Sequence, residues 1–161
     1  MQPLHLVAST ASLGEPHPTA PAPVLQEEVV AFLQSHVFVQ QDQDYVTFLE
    51  TYAGATIFRG DTLYIDIFGF SDVGLHITKE DSQIIDDDGW FCFCKICTYF
   101  GEGYQSLRFK EIDFAFDITG KRNWGIYRSI ANSQRMPKLH WHCATFLELL
   151  QEIITTDWEQ L

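Results

Sequence analysis

The sequence predicts an α+β fold: a single domain on a mainly antiparallel sheet, with two N-terminal helices and one C-terminal helix packed on one side. Three observations predict it. Two segments of helical periodicity come first, a series of β-rich segments joined by turn residues follows, and an amphipathic segment closes the chain. Strands joined consecutively by short connections favour antiparallel pairing, and helices outside that run gather on one side of the sheet.

The first helix is expected over Val24–Val37. There Val29, Val30, Phe32, Leu33 and Val37 recur at roughly helical spacing, with Glu27 and Glu28 near the positive end of the helix dipole. A second runs from about Asp42 or Asp44 to Ala53. Tyr45, Phe48, Leu49 and Tyr52 stand at i, i+3, i+4 and i+7, either acidic residue can cap the start, and Gly54 is placed to stop it.

The pattern then turns to β. Ala55–Phe58 and Thr62–Phe68 are rich in β-branched and aromatic residues around an Arg59-Gly60-Asp61 turn, and Leu75–Ile77 is a short further strand. Trp90–Phe100 is an almost continuous apolar run, as in a strand buried on both faces or paired centrally. Ile112–Ile118 and Trp124–Ile130 flank Thr119-Gly120-Lys121-Arg122-Asn123, which reads as a hairpin connection. From Ala144 or Thr145 the chain returns to helix, with Phe146, Leu147, Leu149, Leu150, Ile153 and Ile154 forming a broad apolar stripe.

Residues 1–23 stand apart. Pro3, Pro16, Pro18, Pro21 and Pro23 lie here among Ala, Ser and Thr, so the segment is expected to be a flexible arm, from which Leu4, Leu6 and Val7 can dock a short piece on the domain. Residues 24–161 form the domain itself. A chain of 161 residues that is 46% hydrophobic and 14% aromatic can bury a full core without disulfide or metal staples.

The formal net charge of −12 repels phosphate backbones and anionic membranes and attracts basic proteins. Direct nucleic-acid and membrane partners are therefore not expected. No run approaches the ~18 apolar residues of a membrane span. Residues 1–25 hold no Lys or Arg for a secretory signal, so a cytoplasmic location with four reduced Cys is expected.

Candidate chemistry is sparse. Cys92-Phe-Cys94-Lys-Ile-Cys97 and His140-Trp-His142-Cys143 offer metal donors. On a regular strand, however, Cys92 and Cys94 share one face and Cys97 the other, amid Phe and Ile, so the cysteines read as core residues. His140 and His142 read as part of a half-exposed strand before the last helix. Walker, dinucleotide and EF-hand patterns each fail: Leu75 stands at the lysine position, Ser106 at a glycine position, and Val46 and Thr47 at calcium-loop positions. No nucleophile motif is present. No catalytic residue, cofactor or metal is expected. The densest charge feature is Asp86-Asp87-Asp88, preceded by Glu80 and Asp81; these five, with Glu102 and Glu111, are the expected partner-binding residues.

The helix Phe48-Leu49-Glu50-Thr51-Tyr52-Ala53-Gly54, the strand entry Gly89-Trp90, the run Asp117-Ile-Thr-Gly120 leading to Gly125-Ile-Tyr127, and Ala144-Thr-Phe146-Leu-Glu-Leu-Leu150 are four landmarks. Together they resemble the SUKH superfamily, the Smi/Knr-type regulators and related bacterial immunity proteins. The resemblance spans about two-thirds of the chain, from Tyr45 to Ile154, and departs from the family at Ala53, where asparagine is common. It implies an α+β binding scaffold without a catalytic set, often an immunity protein that neutralises a toxin, frequently a nuclease. The expectation is thus an acidic protein-binding domain, immunity- or antitoxin-like. A regulatory scaffold binding an endogenous protein is the alternative, and an unrecognised enzyme or metal-binding protein the remote one.

Overall fold

Aromatic and β-branched residues crowd the middle of the chain, and there they build a seven-stranded sheet in which spatial order follows sequence order. The computed structural model describes residues 5–7, 24–59, 63–70, 89–100, 108–129 and 139–156. The strands are β1 (His5–Val7), β2 (Gly54–Arg59), β3 (Leu63–Phe68), β4 (Trp90–Phe100), β5 (Arg108–Asp117), β6 (Ile126–Ser129) and β7 (Leu139–Cys143). Every pairing is antiparallel. Helices α1 (Gln26–Ser35) and α2 (Gln43–Thr51) lie between β1 and β2 in sequence, and α3 (Phe146–Thr155) follows β7. The fold is α+β, as its sequence predicts.

Residues paired across an antiparallel ladder share a face. Ala55 pairs with Ile67, Ile57 with Ile65, Ile65 with Ile96, Ile96 with Ile112, Phe91 with Phe116, and Phe116 with Ile126. This one face belongs to the same core as Val29, Phe32 and Leu33 of α1, Tyr45 and Leu49 of α2, and Phe146, Leu149 and Ile153 of α3. All three helices therefore cover one side. Tyr45 is the hub: its ring lies 5.0 Å from Phe93, 5.2 Å from Phe116 and 5.2 Å from Phe146.

Asp42 ties the helices together. Its Oδ1 accepts from the Tyr45 N–H at 3.0 Å, capping α2, and its Oδ2 accepts from the Phe146 N–H at 2.6 Å, at the start of α3. Of the two acidic candidates, it is Asp42 that caps, and one carboxylate serves the positive ends of two helices. Burial raises its pKa, against the lowering effect of those backbone bonds. Thr145 caps α3 as well, accepting from the Glu148 N–H at 3.2 Å while the Glu148 carboxylate accepts from the Ala144 N–H at 2.8 Å.

Several boundaries differ from expectation. The first helix stops at Ser35, and Val37–Gln41 forms a separate 3₁₀ turn that buries Val39. Gly54 does not end α2: that helix closes at Tyr52 in an extended conformation, and Gly54, at φ 139°, opens β2. β5 begins at Arg108, four residues ahead of Ile112, and β6 is trimmed to Ile126–Ser129. Within the expected flexible arm, His5–Val7 pairs with β2, opposite Phe58, Ile57 and Thr56. The expected strand Leu75–Ile77 lies outside the described residues, as do positions 60–62 of the first turn.

The strand Trp90–Phe100 is interrupted by a β-bulge. Cys92 pairs with Ala115 and Cys94 with Phe114, leaving Phe93 as the extra residue. The bulge inverts the alternation expected of the cysteines. Cys94 joins Phe114 on the helix side, whereas Cys92, Lys95 and Cys97 pair with Ala115, Asp113 and Glu111 on the far side.

Candidate partner-binding surfaces

Of the expected partner-binding residues, Glu80, Asp81, Asp86, Asp87, Asp88 and Glu102 lie outside the described residues. Glu111 is described, and it is not a free carboxylate. It sits on the far face of β5, where the Lys95 ammonium donates to it at 2.5 Å and lies 3.6 Å from Asp113. Asp66 faces Lys95 across the β3–β4 ladder and accepts from the Thr56 hydroxyl at 2.8 Å. One cation thus stands among three carboxylates.

Burial sets the electrostatics of this cluster. It raises the Asp66 pKa, opposed by the Thr56 hydrogen bond and the Lys95 charge. It also raises that of Asp113, where Lys95 lowers it and Glu111 adds to the rise. Burial works against the Lys95 charge too, but the Glu111 bond and the Asp113 charge outweigh it and hold the ammonium firmly protonated. The Cys92 thiol is pushed well up by burial and by neighbouring Asp113. Burial raises Cys94 likewise, and Cys143 to about 12. Such thiols are poor nucleophiles.

At one end of this face the Asp117 carboxylate organises the β5–β6 connection. It accepts from the Thr119 N–H at 2.9 Å and from the Arg122 N–H at 2.8 Å. Burial would raise its pKa, but the Thr119 and Arg122 bonds prevail and hold it below the usual carboxylate value. The Arg122 guanidinium lies 4.2 Å over the Trp90 ring, and Trp90 meets Tyr127 edge-on at 4.9 Å. A side chain at Gly125, whose φ is 142°, would collide with the Trp141 indole. The landmarks around Gly89-Trp90 and Asp117–Tyr127 therefore form one assembly, whose visible task is to hold a turn.

The metal donors do not converge. The bulge separates Cys94 from Cys92 and Cys97, the His142 imidazole turns to Glu152 of α3 at 2.7 Å, and His140 is exposed. Among the described residues no group of three His, Cys, Asp or Glu side chains is placed to hold a metal ion. Nor is any described helix long and apolar enough to cross a membrane.

The helical layer is a surface that motif reading overlooks. Every Lys and Arg of the chain falls between Arg59 and Lys138, so α1, α2 and α3 carry no cation. They carry Glu27, Glu28, Asp44, Glu50, Glu148 and Glu152. Among these acids stand large apolar residues left in water: Val30, Val37, Tyr52, Leu147 and Ile154, each about half exposed or more. The one-sided placement of Lys and Arg is legible in the sequence. The exposure is not, because Leu147 and Ile154 read there as part of a single broad buried stripe.

No family model, no curated protein and no solved structure matches this chain.

Proposed function

We propose that this chain is an acidic protein-binding domain on a SUKH-like scaffold, an immunity- or antitoxin-like protein that neutralises a basic, nuclease-type toxin by direct binding in the cytoplasm. The segregation of charge carries the reading: a net −12 in which the helical layer has acids and no Lys or Arg. A nuclease must present a basic surface to hold phosphates, and an acidic binder is steered to that surface and competes for it. The expected acidic run Asp86–Asp88 adds to the same field wherever it lies.

The test pairs the purified chain with the toxin domain encoded beside its gene. We expect a one-to-one complex, loss of nuclease activity on stoichiometric addition, and an association rate that falls as salt rises. The absence of a neighbouring toxin gene, or undiminished cleavage with the chain in excess, would overturn the reading.

A further inference from the structure

We propose that the flank shared by α2 and α3 is the docking surface, and that its occupant is a basic amphipathic helix of the partner protein. This rests on the reading of the chain as a binder of basic proteins, and it adds the face and the chemistry of recognition.

The geometry comes from α3. Phe146, Leu149 and Ile153 point into the core. Leu147, Leu150 and Ile154, at i, i+3 and i+7, form a second stripe beside them. Leu147 is 47% exposed and Ile154 50% exposed, while Leu150 rests partly buried against the core. Glu152 lies on the opposite flank, where it meets His142 of β7. The stripe therefore turns away from β7, and α2 is the helix that packs against α3.

On α2, Phe48 lies 5.4 Å from the Phe146 ring and 5.5 Å from Tyr52, which is itself 49% exposed. Apolar side chains thus run from Tyr52 through Phe48 to Phe146, the residue before Leu147 at the start of α3. Single exposed apolar residues need no explanation, but a row across two packed helices does.

The form of the occupant follows from spacing. Leu147 and Ile154 are two turns apart, a separation of about 10 Å that matches i, i+7 anchors on another helix. Its charge follows from the rim. Asp44 stands one turn before Phe48 on α2, Glu148 lies next to Leu147, and no Lys or Arg stands on any described helix. Lysines or arginines beside an apolar stripe complement this surface. A second copy of the chain would set acid against acid, and nucleic acid would be repelled.

Amide chemical-shift mapping on the full chain provides the test. The probe is a synthetic helix of about 18 residues with Leu on one stripe and Lys elsewhere. Its controls are a Leu-scrambled peptide of the same composition and a Glu-for-Lys counterpart. Shifts are expected at Phe48, Tyr52 and Leu147–Ile154, with neither control binding comparably. Leu147→Lys with Ile154→Lys should weaken binding at least about tenfold, whereas Asn123→Lys on the β5–β6 turn should leave it unchanged. Both altered positions are exposed, so thermal unfolding should show little change.

Shifts confined to Asp66, Glu111 or residues 80–88 would relocate the surface and overturn this proposal, while leaving a basic partner in place. Equal binding of the scrambled peptide would remove the helical occupant. Dimerisation abolished by Ile154→Lys would give the surface to a second copy. If no basic peptide bound at all, the proposed function would fall together with the surface.

Discussion

The two faces of the sheet are made from alternating residues of the same strands, yet they solve opposite problems. Toward the helices, Phe91, Phe93, Phe114 and Phe116 are fully buried and pack against Tyr45, Phe146 and Leu149. On the far side the central positions hold Asp66, Lys95, Glu111 and Asp113, with the last three still about a third exposed or slightly less. The dry face is held by area: aromatic side chains each remove some 150–250 Å² from water. Among the described residues, the charged face is held by one ammonium, that of Lys95, which keeps three carboxylates from repelling one another. Stability should therefore depend on packing and capping on one face, and on pH on the other.

The first way to sharpen this contrast is to remove the one carboxylate that, among the described residues, is buried on the helical side. Asp42 is 3% exposed and satisfies N–H groups of both α2 and α3. Asp42→Ala removes two caps at about 1 kcal/mol each and leaves buried donors without a partner, so a loss of about 2–3 kcal/mol is expected. Asn at the same position keeps an oxygen acceptor and should recover part of it. Denaturant unfolding of the two variants measures this. An Ala variant within about 0.5 kcal/mol of the natural chain would mean that α2 and α3 are joined by ring packing alone.

How far the sequence discloses these features depends on their range. Helices and central strands are legible because their signals are local: the i, i+3, i+4, i+7 pattern of Tyr45, Phe48, Leu49 and Tyr52, and the apolar run Trp90–Phe100. The bulge at Phe93 is not, because alternation along one strand carries no mark of a residue skipped by its neighbour. That single slip reversed the expected grouping of Cys92, Cys94 and Cys97. β1 is half legible: Leu6 and Val7 mark a piece of the arm that can dock, but the strand they pair with is about fifty positions away. Glu111 was legible as an acid but not as an ion-pair partner, because Lys95 reaches it through the β4–β5 register. Asp42 was visible as a cap for α2, while its second bond, to Phe146, is a tertiary fact.

The charged face can be broken by Lys95→Met, which keeps most of the side-chain volume and removes the cation. Partly exposed ion pairs contribute modestly, so the expected loss near neutral pH is about 1–2 kcal/mol. Its pH dependence is the sharper readout. Asp66 and Asp113 already have pKa values raised above 3.8 by burial, and Lys95 counteracts that rise in both. In the variant they rise further, so the folded state binds protons more tightly than the unfolded one. For acids shifted in this direction, stability falls as pH increases from the unfolded value through the folded one. The deficit relative to the natural chain should be largest at neutral pH and shrink on acidification toward about pH 4. A deficit that stays constant over that range would show that Lys95 acts through packing of its methylenes rather than its charge.

The smallest expected effect tests the dry face at its centre. Tyr45 is 0% exposed, and its hydroxyl finds no hydrogen-bond partner among the described residues. Burial raises its pKa far above 10.0, with Cys94, Cys92 and Asp42 adding to the rise. The phenol is therefore neutral, a buried polar group set beside the bulge on β4. An unpartnered buried hydroxyl costs roughly 1–3 kcal/mol by mutational measures. Tyr45→Phe keeps the ring contacts with Phe93, Phe116 and Phe146 and deletes only that oxygen. It should leave stability unchanged or raise it by up to about 1 kcal/mol, about 2–4 °C in Tm for a chain of this size. The same substitution would be destabilising if the hub relied on a hydrogen bond through the sheet to the charged face. A fall in Tm of several degrees would thus erase the contrast between the two faces, because it would place a polar anchor at the middle of the aromatic one.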